Sequence, residues 1–406
     1  MALLLHTLDN GIRLVHHRTS GMVAHCGLII KAGSRDEAPG EHGMAHFIEH
    51  MLFKGTRKHK TFYILTRLDE LGGELNAYTT KEETAIHASV LKEDFGKAAD
   101  MISDIVFNSV FPENEIKKEK DVIIEEINSY LDNPAELIFD DFEEMIFPGQ
   151  SLGRNILGSP ATVKSFTPES IRRFIVNNYD TGKMVFCSVG DIPGEKVLKT
   201  FNKFFGSLPS MSRKNGKGKT VEYKPSLVIK EKDTYQNHCI IGNVAYNLRD
   251  KRRIGMFLLN NILGGQGMNS RLNLSLRERK GLAYNVESNY NAYHDTGIFS
   301  VYFGTDSQNL EKSIAVVNRE MENLRKKKLG DIRMSKAKNQ IKGYLARSYE
   351  NHESLMLSMA KSMLVFNRID PFANICRKID SLTPARLLEI AGEVFEPSRL
   401  STIIYK

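Results

Sequence analysis

Two stretches far apart in this chain follow one plan, and that repetition limits what the chain can fold into more than any single motif does. "KSFTPESIRRFIVNNYDTGKMVFCSVG" (164–190) reads as a helix followed by a strand, with Thr167 as N-cap and Pro168 in the first helical position. "DSLTPARLLEIAGEVFEPSRLSTIIY" (380–405) has the same order, with Thr383 and Pro384. Upstream, "IKKEKDVIIEEINSYLDNPAEL" parallels "MSKAKNQIKGYLARSYENHESL", and earlier still "FIEHMLFKG" parallels "FLLNNILGG" at 257–265. Three matched blocks in one order, offset by roughly 210 to 220 residues, indicate one domain duplicated once and not a short-period solenoid.

The expected division is a first copy over 1–206, an exposed linker over 207–226 and a second copy over 227–406. The seam, "SLPSMSRKNGKGKTVEYKPS", is rich in Ser, Pro, Gly and Lys and has no hydrophobic period. A chain of 406 residues exceeds one ordinary core and has room for roughly two to three domains. In the first copy "IRLVHH", "AHCGLIIKAG" and "ETAIHASVL" read as strands, and helices are expected near 42–54, 61–72, 94–108, 113–131 and 168–178. Strand runs interleaved with helix pairs predict an α+β fold, two homologous domains with largely antiparallel sheets packed by helices.

Composition excludes several classes. No apolar run approaches the roughly 18 residues of a membrane helix. The start, "MALLLHTLDNGIRLV", has neither a basic n-region nor a small-residue cleavage site, so no signal peptide is expected. Four cysteines lie far apart without a C-x-x-C, which predicts isolated thiols in a reducing, cytoplasmic setting. The net charge of +7 is spread among 49 acids, and its one dense run, "SRKNGKGK" at 212–219, lies in the expected linker. A solvated surface explains it better than a nucleic-acid partner.

The chain has only 12 histidines, and "HFIEH" (46–50) holds two of them around a glutamate. In "GMAHFIEHMLF", Met44, Phe47, Ile48, Met51 and Leu52 form one apolar stripe of a helix, which leaves His46, Glu49 and His50 on the other face. Histidines four apart are neighbours one turn on and both reach one ion. An isolated H-x-x-E-H is equally what a solvated polar face looks like. A catalytic zinc needs a third protein ligand and one open position. The helix over 113–131 offers a candidate. At about 100° per residue, Ile116, Ile123, Ile127, Tyr130 and Leu131 form its buried arc, Glu119 and Glu126 share one border of it, and Glu125 points away. Glu126 is therefore the better third ligand, with Glu119 one layer off in support. On periodicity alone the pair also reads as surface glutamates. His42, His59 and His87 read as structural or surface histidines.

"HFIEHMLFKGT", followed 76 residues after His50 by the second glutamate of "EKDVIIEEI", closely resembles the inverted-zincin peptidases. These are the family of pitrilysin, insulin-degrading enzyme and the mitochondrial processing peptidase β subunit. "GGELNAYTTKEETAIHASV" and "SRLNLSLRERKGLAY" extend the resemblance over nearly the whole chain, which is similar to a half-length, bacterial-type member. The resemblance implies one Zn²⁺ per chain on His46, His50 and Glu126, with Glu49 as general base and Glu119 in support. It also implies that Arg277 and Tyr284 act on substrate from the far side of a chamber, and that the edge strand near Asn76 and Ala77 pairs with the substrate. The family's working unit is a clamshell of four such domains. One chain supplies two, so a homodimer with shared active sites, closing on peptides or unfolded segments, is expected.

In the second copy Met256, Leu259 and Asn260 stand where His46, Glu49 and His50 stand, and "MSKAKNQIKGYL" has no glutamate pair. That copy is not expected to bind zinc. The alternative for the whole chain is a non-catalytic or partner-dependent subunit of the same family that acts as a scaffold.

Overall fold

A computed structural model of the chain describes residues 3–213 and 223–406. The middle of the expected 207–226 linker, and most of the basic run at 212–219, lie outside the described residues. Eleven strands are described: β1 Leu3–Thr7, β2 Arg13–Arg18, β3 Val23–Ile30, β4 Glu74–Thr79, β5 Thr84–Leu91, β6 Met184–Gly190, β7 Leu227–Lys230, β8 Asn237–Ala245, β9 Ala283–Ala292, β10 Gly297–Thr305 and β11 Ser401–Tyr405. They make two sheets, β1-β2-β6-β3-β5-β4 and β7-β11-β8-β10-β9. Apart from β1, the order is the same in both. The single parallel pair also falls in the same place, β2 with β6 and β11 with β7, and every other pair is antiparallel. The duplication in the sequence is thus a duplication of hydrogen-bond topology.

The first copy carries α1 Met44–Leu52, α2 Thr61–Thr66, α3 Phe95–Phe107, α4 Glu113–Leu131, α5 Pro134–Ile146, α6 Pro160–Ser165, α7 Pro168–Asn178 and α8 Gly194–Phe205. The second carries α9 Arg253–Gly264, α10 Leu310–Lys326, α11 Asp331–Glu350, α12 His352–Phe366, α13 Phe372–Asp380 and α14 Pro384–Val394. Thr167 and Thr383 cap α7 and α14 through their side chains, each with proline next in line. The helix expected over 61–72 stops at Thr66, because a short turn at Asp69–Leu71 runs into Gly72 in the left-handed region before β4 begins. Sequence periodicity overlooked α5, α6 and α8.

The chain forms two compact units, and each takes one helix from the other copy. The unit built on the first sheet includes α12, and the unit built on the second includes α5. In the first unit, one face of the sheet packs on α1, α3 and α8 through Leu14, Cys26, Leu28 and Ile86 against Phe47, Phe95, Phe201 and Phe205. The other face, with Val15, Ile29, Ala85, Val185, Cys187 and Val189, is covered by Leu355, Met356, Met359, Ala360 and Met363 of α12. Each such Leu or Met contributes about 1.5–3 kcal/mol by leaving water. This two-sided cover explains why β6 is buried at every position and shows no alternation. In the second unit α5 does the same work with Leu137, Ile138, Phe142 and Ile146 against Ile240, Ile403 and Tyr405. Gly242 of β8 makes the approach possible, since a Cβ there would lie 2.8 Å from the Phe142 ring.

Candidate metal centre

α1 begins on Gly43, whose φ of 91° places it in the left-handed region. A Cβ there would lie 2.6 Å from the Leu157 carbonyl oxygen, so no other residue fits. Glycine has no side chain with which to cap a helix, and Glu37 supplies the missing acceptor. The backbone N–H groups of Gly43 and Ala45 both donate to its carboxylate at 3.0 Å. Burial pushes the Glu37 carboxyl up to about 8. His42 is tied down beside it, its Nε2 2.8 Å from the Asn155 carbonyl oxygen. The apolar stripe Met44, Phe47, Ile48, Met51 and Leu52 is fully buried. That anchoring fixes where the opposite face points.

The opposite face is not solvated. His46 is buried, and Glu49 and His50 are half-buried. α4 lies across it. His46 Nε2 is 3.7 Å from Glu126 Oε1, and His50 Nε2 is 3.7 Å from Glu126 Oε2. The two imidazoles face each other with ring centroids 4.6 Å apart. Behind them, Glu119 Oε1 accepts from His50 Nδ1 at 2.8 Å, while its Oε2 holds the Lys54 ammonium at 2.6 Å. Glu125 is exposed, and the buried line of α4 is Ile116, Glu119, Ile123 and Ile127. Leu131, expected in that line, is 48% exposed at the helix end.

The donor set suits a tetrahedral ion. At 3.7 Å the nitrogen–oxygen pairs are too long for hydrogen bonds, and one atom from each of His46, His50 and Glu126 lies within 4.8 Å of the other two. Ligands at zinc bond lengths sit about 3.3–3.5 Å apart, against 3.7 Å for each histidine–Glu126 pair. Among the described residues, His46 Nδ1 and Glu49 Oε2 are buried without a hydrogen-bond partner. Glu126 keeps 43% of its side chain exposed, which leaves the rim open on one side.

The electrostatics divide the roles. Burial, helped by His50, holds His46 down at about 4, so it is a neutral donor at ordinary pH. Burial also disfavours charge on His50, but its hydrogen bond to Glu119 and the nearby Glu126 and Glu49 outweigh this and raise its proton affinity. Burial raises the Glu49 carboxyl, with Thr79 and His50 opposing. Glu119 is buried as well, yet His50 and Lys54 hold it below the usual carboxylate range.

Asn76 and Ala77 lie on β4, the edge of the first sheet, paired with His87 and Ile86 of β5. Ala77 packs on the cluster that contains α1. Arg277 and Tyr284 belong to the other unit. The Arg277 guanidinium stacks over the Tyr284 ring at 4.9 Å, and Tyr284 is 72% exposed on β9. His59 pairs with Asp104 at 3.0 Å and His87 with Glu353 at 3.0 Å, both structural contacts. Sequence reasoning overlooked Glu37 and Lys54. Both lie on loops flanking α1, where no periodicity marks a residue's partner.

Among the described residues no helix is long and apolar enough to cross a membrane. Residues 13–160 match the family described as Insulinase (Peptidase family M16), and residues 165–341 match the Peptidase M16 inactive domain. An uncharacterized zinc protease of Bacillus subtilis is 33% identical over 392 residues, covering 96% of this chain and 95% of that one. One from Streptomyces coelicolor is 32% identical over 397 residues, covering 96% and 86%. Among solved structures, a protease from Helicobacter pylori shares the fold with a TM-score of 0.90 at 22% identity, over 100% of this chain and 99% of that one. A peptidase M16 inactive domain from Pseudomonas fluorescens does so at 0.91 and 18% identity, over 100% and 98%.

Proposed function

Because the chain belongs to the insulinase family of peptidases, M16, we propose that it is a zinc-dependent endopeptidase with one ion per chain on His46, His50 and Glu126. The observation that carries this reading is the convergence of one donor atom from each of His46, His50 and Glu126, on two helices, within 4.8 Å of one another. Zinc bound there would supply Lewis acidity and make a water nucleophilic near neutral pH.

Glu49 lies on the ligand-bearing face of α1, and burial strengthens its hold on a proton. It takes the proton of the attacking water and returns it to the leaving amine. Glu119 holds His50 through Nδ1, which leaves Nε2 toward Glu126, where it would serve as a ligand to zinc. β4 offers its free edge to an extended peptide at Asn76 and Ala77, and such main-chain pairing reads shape more than side chains. Tyr284 donates to the developing oxyanion, and Arg277 anchors substrate backbone. We assign the 1–206 copy to zinc and the 227–406 copy to this second role. Each active site draws its Arg277 and Tyr284 from the partner subunit of a homodimer whose closed chamber admits peptides and unfolded segments.

Glu49→Gln is expected to lower peptide turnover by about 10²–10⁴-fold while zinc content stays at one per chain. Peptide cleavage at the wild-type rate would remove Glu49 from its role. Mixing Glu49→Gln chains with Tyr284→Phe chains is expected to restore activity that neither has alone. No rescue would place the whole site within one chain. The rival reading, a subunit that works only beside a different partner, predicts that the purified chain is inactive as a homodimer on a sizing column.

A further inference from the structure

Glu119 is held at both ends. One carboxylate oxygen meets His50 Nδ1 at 2.8 Å, and the other meets Lys54 Nζ at 2.6 Å, with only 5% of the Glu119 side chain exposed. Lys54 follows directly on the end of α1, its backbone N–H donating to the Met51 carbonyl oxygen at 3.2 Å. The helix that carries His50 therefore also carries the cation that pins the acceptor of His50. A carboxylate fixed by one hydrogen bond can still turn about its own axis, whereas two anchors on opposite oxygens fix its plane. A buried carboxylate also needs an opposite charge to offset the loss of water.

We propose that Lys54 is a positioning residue of the metal centre: by pinning Glu119 it sets the orientation and tautomer of His50, so that Nδ1–H donates inward and the Nε2 lone pair faces the ion. This rests on the zinc-peptidase reading above and adds a residue to it. The second copy supports the linkage independently. Where "FIEHMLFKG" lies over "FLLNNILGG", Lys54 falls on Gly264; where Ile116 and Ile123 lie over Met334 and Ile341, Glu119 falls on Ala337. The copy without the histidines lacks the carboxylate and the ammonium together. A lysine serving only the stability of the helix end would have no reason to be absent with them.

The test is zinc affinity, measured by competition with a chromophoric chelator on the full chain, together with the visible absorption of the cobalt-substituted protein. Lys54→Met is expected to weaken zinc binding about tenfold or more, the range seen when the outer partner of a ligating histidine is removed, and to shift the cobalt bands. Lys54→Arg is expected to recover most of the affinity. If Lys54→Met does not fold, Lys54→Gln, which keeps a donor without the charge, is measured in its place and is expected to fall between the two. Affinity within twofold of wild type with unchanged cobalt bands overturns the proposal, even if the zinc-free variant melts at a lower temperature. Failure of the wild-type chain itself to bind zinc overturns the peptidase reading, and this inference with it.

Discussion

α1 and α9 occupy the same place in two copies of one fold, each leading to the last strand of its sheet, β4 or β9. In α1 the face opposite the apolar stripe carries His46, Glu49 and His50. In α9 the same positions carry Met256 and Leu259, both fully buried, and Asn260, whose Nδ2 donates to the Ser288 carbonyl oxygen at 3.0 Å. The partner helices differ in the same way. Glu119 and Glu126 of α4 correspond to Ala337 and Tyr344 of α11. Where the histidines and glutamates are absent, Met256, Leu259 and Ala337 pack as buried core, and Asn260 leaves its Oδ1 buried without a partner among the described residues. The candidate centre is thus a local departure from apolar packing, in which His46 Nδ1 and Glu49 Oε2 lack hydrogen-bond partners among the described residues. Such departures mark places where function outweighs stability.

The largest effect is expected where the two copies are separated. A fragment of residues 1–206 lacks α12 and exposes Val15, Ile29, Ala85, Val185, Cys187 and Val189. It is expected to show no cooperative thermal transition by circular dichroism. A fragment that melts like the intact chain would mean that the helix exchange adds little.

The next test makes each copy resemble the other. Leu259→Glu places an unpaired carboxylate in closed core and is expected to cost about 3–5 kcal/mol in urea unfolding. Glu49→Leu is expected to end peptide cleavage and leave the zinc-free protein at least as stable as wild type. Equal and small effects at both positions would erase the contrast drawn between α1 and α9.

Helix starts give a smaller effect. α1 begins on a left-handed glycine, whereas α9 begins on Arg252 in ordinary helical conformation. Gly43→Ala is expected to cost about 1–3 kcal/mol and to weaken zinc binding, because His46 lies one turn on. An unchanged urea midpoint would show that the 157–158 backbone yields.

Acid gives the smallest and most graded effect. Burial lowers the proton affinity of His16 and His25 in the first sheet and of His238 in the second. Above the usual 6.5 neither folded nor unfolded chain is protonated there, and the contribution of these histidines to stability is complete. As pH falls below that value the unfolded chain takes protons first, and stability drops until the folded values are passed. These three histidines thus lower the melting temperature from pH 6.5 to pH 5, while Glu37, Glu49 and His50, whose proton affinity is raised in the folded chain, act in the opposite direction. His16→Gln, which removes the ring between Ser188 and the Ile192 carbonyl, is expected to reduce the loss of melting temperature over this range relative to wild type. A slope unaltered by the substitution would exclude His16 as a source.

Much of this was legible along the chain. The matched blocks at one offset correspond to two sheets of one topology, and the Thr-Pro starts correspond to capped helices. The stripe in "GMAHFIEHMLF" is the buried face of α1. On α4, Glu126 meets both imidazoles and Glu125 does not. These features are written in spacing because helix and strand periods are local. α5 and α12 were not legible in the same way. α5 was overlooked, and because the two sheets share one strand order, nothing in the local spacing says which sheet either helix covers.

The amino-acid sequence by itself determined the duplication, the α+β character, the two helices that carry His46, His50 and Glu126, and the family to which the chain belongs. Only the tertiary structure decided that each copy lends a helix to the other's sheet, that Glu37 starts α1, and that Lys54 and His50 share one carboxylate. The physical reason is range. Backbone hydrogen bonding and hydrophobic period act between near neighbours, whereas a buried charge is satisfied by whichever group the closed chain brings within about 3 Å.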